Sequence, residues 1–275
     1  MPSVFVLMTG LLGLAVGSFL NVAVSRVPAG RSVLRPRSAC PRCAAPIAAR
    51  DNIPLVSWVL LCRRCRVCRV PIPARYPLVE ALTGVLFAAE ALRFGPSEVL
   101  PAALVLTAGL LALAACDAEH LLLPNRLLYP TLALTAACLL AAAVATDQWP
   151  SLGAAAACGV GAFAVFFVLH RTRPAWLGFG DVRLAGLLGA GLGWFGPLHL
   201  IFAVLSGSAA GLAVGAGLMA TGRATRRTRL PFGVFLAAGA IAALLVGDPV
   251  VRWYDGVLDP HATGAPPHVT VRPWP

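Results

Sequence analysis

The chain has 275 residues, 59% of them hydrophobic and only 12% charged, with a formal net charge of +11. Soluble domains carry about 25% charged residues, and a chain this apolar cannot hide its surface in one water-soluble core, which excludes an ordinary soluble fold. All 22 basic residues are Arg, and half of them lie between positions 26 and 76. That clustering points to membrane topology rather than to a nucleic-acid surface.

Val4 to Val24 is an apolar run close to the ~20 residues that cross a bilayer. No basic residue precedes it, whereas a secretory leader places positive charge ahead of its apolar stretch. Residues 1–25 are therefore expected to be a retained first span. Residues 26–76 follow as an Arg-rich segment, with eleven Arg against a single acid, Asp51. Attraction to anionic lipid, about 1 kcal/mol per basic residue near the surface, accounts for such a loop without invoking nucleic acid.

Residues 77–250 read as a transmembrane core. Two spans fit within 77–116, separated by Arg93-Phe94-Gly95-Pro96-Ser97-Glu98, and two within 127–169, separated by Thr146-Asp147-Gln148-Trp149-Pro150-Ser151. A third pair lies within 184–220 around Gly193-Trp194-Phe195-Gly196-Pro197, and a last span runs from Phe232 to about Val246. Pro, Gly and polar residues mark each reversal. The stretch Leu184 to Gly196 would make only about 20 Å of helix, too short for a full span unless it extends into the preceding loop or is re-entrant. The expected fold is an all-α polytopic membrane protein of about eight transmembrane helices, with a cytosolic loop domain between the first and second. Residues 251–275, rich in Pro, are expected to be a flexible external tail.

Counting Arg by loop fixes an expected orientation. Loops 26–76, 117–126, 170–183 and 221–231 hold nineteen Arg; the other side holds Arg93, Arg252 and Arg272. The positive-inside rule then puts the N-terminus outside and these four loops in the cytosol. Asp117 and Asp181 consequently fall on one side of the membrane.

Eleven acids are present, and those two stand at membrane boundaries, where a carboxylate is costly unless it works or reaches water. Asp117 closes the apolar run Val99 to Cys116. Asp181 ends Gly178-Phe179-Gly180-Asp181, whose glycines permit positive φ and close backbone approach. Two facing carboxyls can share a proton, one acting as base on water and the other as acid. Asp117-x-Glu119-His120 is an alternative divalent-metal cluster, although Glu119, two residues on, points to another helix face. Glu80 is placed to pair with Arg75.

Cys116, Cys138 and Cys158 sit in apolar runs as small hydrophobes. Cys40-Pro41-Arg42-Cys43 and Cys65-Arg66-Val67-Cys68 form two C-x-x-C pairs at a spacing close to that of four-cysteine zinc sites. In a reducing cytosol disulfides rarely persist, so structural zinc on Cys40, Cys43, Cys65 and Cys68 is expected. Cys62, three residues before Cys65, leaves the register of the second pair open. The metal would order a loop whose own apolar core, around Ile53, Leu55, Val56 and Trp58, is thin. Gly191-x-Gly193-x-x-Gly196 matches a dinucleotide motif literally but follows no strand. Gly207, Gly211 and Gly215, every fourth residue, read as helix packing.

Taken together these segments resemble the bifunctional prepilin peptidases, or type IV leader peptidases. The resemblance rests on Gly17-Ser18-Phe19-Leu20-Asn21-Val22 with Arg26-Val27-Pro28, and on the two Cys pairs bracketing Asp51-Asn52-Ile53-Pro54-Leu55-Val56-Ser57-Trp58. It continues through Ala74-Arg75-Tyr76-Pro77-Leu78-Val79-Glu80, Asp117 with Leu123-Pro124-Asn125, Gly178-Phe179-Gly180-Asp181-Val182-Arg183-Leu184, and Leu230-Pro231-Phe232-Gly233. It implies an aspartic endopeptidase of the inner membrane with Asp117 and Asp181 catalytic, within the core 77–250. It also implies prepilin or pseudopilin substrates cut at the cytosolic face, and in many members N-methylation of the new terminus with S-adenosylmethionine. Arg183 stands where many relatives have Lys, and Cys62 is an additional thiol. A peptidase without methyltransferase activity, or a non-enzymatic zinc-bearing scaffold for pilus or secretion assembly, are the alternatives; the scaffold leaves the paired aspartates without a role.

Overall fold

The computed structural model describes residues 2–33, 35, 37–173, 177–225 and 228–258. Those residues are helical or irregular apart from two isolated β-bridges. The helices are α1 (Pro2–Arg26), α2 (Val56–Leu60), α3 (Arg75–Phe94), α4 (Leu100–His120), α5 (Asn125–Thr146), α6 (Trp149–Thr172), α7 (Phe179–Leu192), α8 (Pro197–Ala220) and α9 (Phe232–Leu258). Among the described residues six of these, α1, α4, α5, α6, α8 and α9, are long and apolar enough to cross a bilayer. With α3, which carries Arg75, Glu80, Glu90 and Arg93, and the shorter α7, they make up the eight segments expected from the sequence. The last helix runs on to Leu258, past the expected end at Val246. Residues 259–275 of the expected tail lie outside the described residues, as do Arg226, Arg227 and Arg272 of the charge count.

The chain divides into two compact units, at the boundary between Gly95 and Pro96. In the first, α1 lies along α3 at glycine contact distance. A Cβ added at Gly13 would stand 2.7 Å from the Thr83 carbonyl oxygen, and one at Gly17 would stand 2.7 Å from Glu80 Cα. In lipid, helices gain nothing by hiding apolar surface from one another, so close van der Waals approach and interhelical hydrogen bonds hold them. The Asn21 amide supplies one such bond, donating from Nδ2 to the Tyr76 carbonyl at 3.0 Å.

In the second unit α7 is the buried centre. Val182, Leu184, Ala185, Leu187, Leu188 and Leu192 have no exposed surface. Its 14 residues rise about 21 Å, less than the ~30 Å hydrocarbon core. A helix enclosed by other helices need not match the bilayer, and α7 begins at Phe179, inside the loop that the sequence marked as its only room to lengthen. Glycines again set the spacing: Gly189 and Gly193 sit against Cys158 of α6, and Gly191 against Leu106 of α4. Gly207 and Gly211 of α8 receive Phe235 of α9, as their spacing predicts. Nearer the other end of this pair, buried His199 of α8 meets Asp248 of α9 at 2.8 Å.

Candidate active site and metal centre

Asp117 belongs to the last turn of α4 and is 6% exposed. The helix stops just beyond it: Leu121 takes the left-handed conformation at φ 52° and donates its N–H to the Asp117 carbonyl at 2.8 Å. Pro124 then precedes α5. The carboxylate turns toward the start of α9, where Oδ2 accepts the Val234 N–H at 3.3 Å. The first turn of a helix offers N–H groups without intrahelical partners and the positive end of its dipole. Gly233 is required there, since a Cβ on it would stand 2.9 Å from Asp117 Oδ2 and 3.1 Å from Leu123 Cδ2.

Asp181 lies in the first turn of α7 and is partly exposed. Its Oδ2 accepts the Gly178 N–H at 3.2 Å, while its own N–H donates to the Gly178 carbonyl at 3.1 Å. This is the carboxylate arm of a capping box. Gly178 has φ −71°, so of the two freedoms that glycine permits, positive φ is not used at that position. Gly180 serves a close approach, here within the chain: a Cβ on it would stand 3.2 Å from Leu123 Cβ. Leu123 thus touches both Gly180 and Gly233, drawing the starts of α7 and α9 and the end of α4 around one side chain. The turns that carry the two aspartates are thereby brought to the same side chain.

A second fastening joins the same elements. Arg183, one turn into α7, donates from Nη1 to Asn125 Oδ1 at the start of α5. Its Nε donates to the Phe179 carbonyl at 3.3 Å, and its guanidinium lies 4.9 Å from the Phe179 ring centre. The alternative metal cluster does not assemble: Glu119 and His120 are exposed and face each other at 3.9 Å, while Asp117 is turned inward. Leu123-Pro124-Asn125 and Leu230-Pro231-Phe232-Gly233 carry no chemistry legible in the sequence; Leu123, Asn125 and Gly233 frame the two aspartates.

In the first unit, Cys40, Cys43, Cys65 and Cys68 bring their sulfur atoms within 4.8 Å of one another. The Cys40 and Cys68 sulfurs are 3.7 Å apart, against about 3.8 Å for the edge of a tetrahedron with Zn–S of ~2.3 Å. The two pairs are folded alike. Cys40 N–H donates to Ala45 O and Ala44 N–H to Cys40 O; Cys65 N–H donates to Val70 O and Arg69 N–H to Cys65 O. Ala44 and Arg69 occupy the same place in each knuckle, at φ 56° and 57°. Backbone N–H groups of Cys43 and Arg42 pull the Cys40 thiol down to about 6, and those of Cys68 and Val67 lower Cys65 as well. Donors aimed at sulfur favour the thiolate, the form that binds metal. The cluster can hold a metal ion, and its donor set suits zinc. Cys62 is exposed and outside the group.

The expected apolar core of this loop is only partly present. Trp58 is half-buried, its Nε1–H bonded to Ile72 O at 3.2 Å, but Ile53 and Val56 are about half exposed. Five residues of helix and two knuckles leave too little surface to enclose them. Glu80 accepts the Leu55 N–H at 2.8 Å, tying the loop to α3.

Comparison with known proteins identifies the family. Residues 11–94 match the bacterial peptidase A24 N-terminal domain, and residues 104–247 match the type IV leader peptidase family. A prepilin leader peptidase/N-methyltransferase of Myxococcus xanthus is 45% identical over 79% of this chain and 64% of its own length. The chain therefore spans just under two thirds of that relative. One from Burkholderia pseudomallei is 38% identical over 86% of this chain and 84% of its own. One from Aeromonas hydrophila is 36% identical over 92% and 95%. No solved structure matches. With both domains matched in order and relatives this similar across most of its length, the chain belongs to the type IV leader peptidase family.

Proposed function

We propose that this chain is an inner-membrane aspartic endopeptidase that removes the short basic leader of prepilin-like proteins, with Asp117 and Asp181 as the catalytic pair. The observation that carries the proposal is the convergence of the turns bearing Asp117 and Asp181 on one frame of helix ends around Leu123. The similar proteins named prepilin leader peptidase/N-methyltransferase support the substrate class. One carboxyl takes a proton from a water held between the pair while the other donates to the peptide carbonyl, and the two exchange roles as the amine leaves. The Val234 and Gly178 N–H groups each hold one carboxylate oxygen, leaving the other oxygen of each group for the water and the peptide.

The Arg partition favours a cytosolic position for the aspartates and the Cys-bearing loop, with the N-terminus outside. A prepilin entering with its apolar segment in the bilayer then presents its scissile bond at that level. Zinc on Cys40, Cys43, Cys65 and Cys68 serves to fold the loop. The relatives' names also support a second step, methylation of the new terminal amine, for which S-adenosylmethionine would supply the methyl group. Co-expression with a prepilin, followed by mass spectrometry of the product, tests both steps. The expected product lacks the leader and is one methyl group heavier. An uncut prepilin would overturn the proposal, and a cut but unmethylated one would leave only its first half.

A further inference from the structure

The Cys-bearing loop exposes apolar side chains that its own fold does not cover. Val59 and Leu60 on α2 are 65% and 76% exposed, and Val67 in the second knuckle is 67% exposed. Ile53 and Val56 add about half of their surface. Exposed Arg50, Arg63, Arg64 and Arg69 flank them in sequence. Asp51, the only acid between residues 26 and 76, is already held by Arg66, whose Nε donates to Oδ2 at 2.8 Å.

These residues are held outward. Leu55 has φ 62° and ψ −50°, a strained conformation for a residue with a side chain. Two bonds hold it there: Val56 N–H donates to Pro54 O at 2.6 Å, and Leu55 N–H donates to Glu80. Ser57 Oγ accepts the Ile53 N–H at 3.0 Å and donates to Arg50 O at 3.1 Å. The bonded turn fixes the direction in which α2 presents its side chains.

We propose that α2 and its neighbours form an interfacial anchor, with the apolar side chains seated at the acyl boundary of the bilayer and the surrounding Arg on anionic lipid phosphates. The loop leaves the end of α1 and enters the start of α3, two helices packed together and bridged by Asn21 and Tyr76. Both ends of the loop are therefore tethered at one membrane face. An apolar patch and a basic ring are the two signals that stable surface attachment needs. Eleven Arg against one acid complement an extended anionic surface better than the apolar face of a protein partner. The proposal needs a membrane-spanning chain but does not depend on catalysis.

The test places the photo-crosslinking residue p-benzoylphenylalanine at Leu60 of the full chain, in nanodiscs of phosphatidylcholine with or without phosphatidylglycerol. Mass spectrometry should find lipid as the main adduct, rising at least about twofold with the anionic lipid. A chain carrying both Val59→Asp and Leu60→Asp should keep its zinc and show faster amide exchange across residues 53–67 in the nanodisc. Adducts chiefly to peptides from residues 96–258, or to added prepilin, would overturn the proposal, as would lipid adducts indifferent to lipid charge or unchanged exchange in the Asp variant. Should that variant lose zinc, the adducts alone decide. An enzyme that cleaves prepilin but yields no lipid adduct would remove this proposal and leave the catalytic one standing.

Discussion

In the four-cysteine cluster every donor comes from one loop, and the two halves repeat the same pair of backbone bonds. Around the aspartates the parts come from the end of α4, the start of α7 and the start of α9, and what aligns them is glycine contact on Leu123. The first region can order itself locally once a metal joins four sulfurs, because structural zinc contributes about 10–16 kcal/mol to small sites. The second has no such local source of order and depends on the packing of whole helices. The two sites should therefore fail separately, and each substitution below is a way to force or break that separation.

The largest effect belongs to the carboxylates. Asp117→Asn and Asp181→Asn keep size and accept the same N–H bonds but cannot exchange a proton. Each should lower cleavage by at least about a thousandfold, while zinc content stays at one per chain. Glu119→Gln, on the exposed side of α4, should leave more than about half of the activity. Prepilin conversion measured beside metal content checks all three, and substantial cleavage by either Asn variant would end the two-aspartate mechanism.

Next in size is the frame. Gly233→Val would drive a branched side chain into Asp117 Oδ2 and Leu123, where even a Cβ is at 2.9 and 3.1 Å. Displacing a catalytic group by about 1 Å can cost about a hundredfold, so kcat should fall by about 10- to 100-fold with KM nearly unchanged. Arg183→Ala removes the bond to Asn125 and the Phe179 contact. A loss of about tenfold in kcat, equivalent to about 1.4 kcal/mol, should be largely restored by Arg183→Lys, which keeps a donor. If Arg183→Ala raised KM alone, the residue would be reading substrate instead of holding the frame.

The boundary between what the sequence announces and what it hides follows the same division. The metal cluster was legible because its ligands are neighbours in the chain and C-x-x-C spacing encodes the knuckle. The eight segments were legible because apolar length is a local property, and even the short α7 was flagged by its residue count. The frame was not. Nothing in Gly233 alone says that it meets Asp117, and nothing in Leu123 that it meets Gly180 and Gly233, since those contacts join different helix ends far apart in the chain. The glycines of Gly178-Phe179-Gly180 permit both close approach and positive φ, which cannot be told apart from sequence; Gly178 has φ −71° and Gly180 serves a close approach. The loop's apolar residues were assigned to a core because apolar residues ordinarily go inside. In a loop bounded by membrane helices there is a second apolar phase to go to.

At the metal, Cys40→Ser or Cys68→Ser should abolish zinc binding and loosen residues 38–72 in amide exchange. Cleavage should fall less than about threefold, because the aspartates draw their order from packing in the other unit. A loss of cleavage as large as that of the Asn variants would show that the two regions are not separable after all.

The smallest expected effect is the most pointed check on the register. Cys62 lies three residues before Cys65 and could pair with it in a shifted C-x-x-C, so spacing leaves the register open although Cys65 and Cys68 are the expected pair. The structure gives it a different place. It is exposed, at φ 48°, immediately before Arg63 at φ 61°, where the chain leaves α2. The knuckle bonds run from Cys65 to Val70 and from Arg69 back to Cys65, matching those at Cys40, and no such set starts at Cys62. Cys62→Ser should keep a full complement of zinc, the same exchange protection across residues 38–72, and cleavage within about twofold of the parent, as expected for a surface change that breaks no bond. Were zinc lost in Cys62→Ser and kept in Cys68→Ser, the second knuckle would be built one step earlier, and the match between the two halves would be accidental.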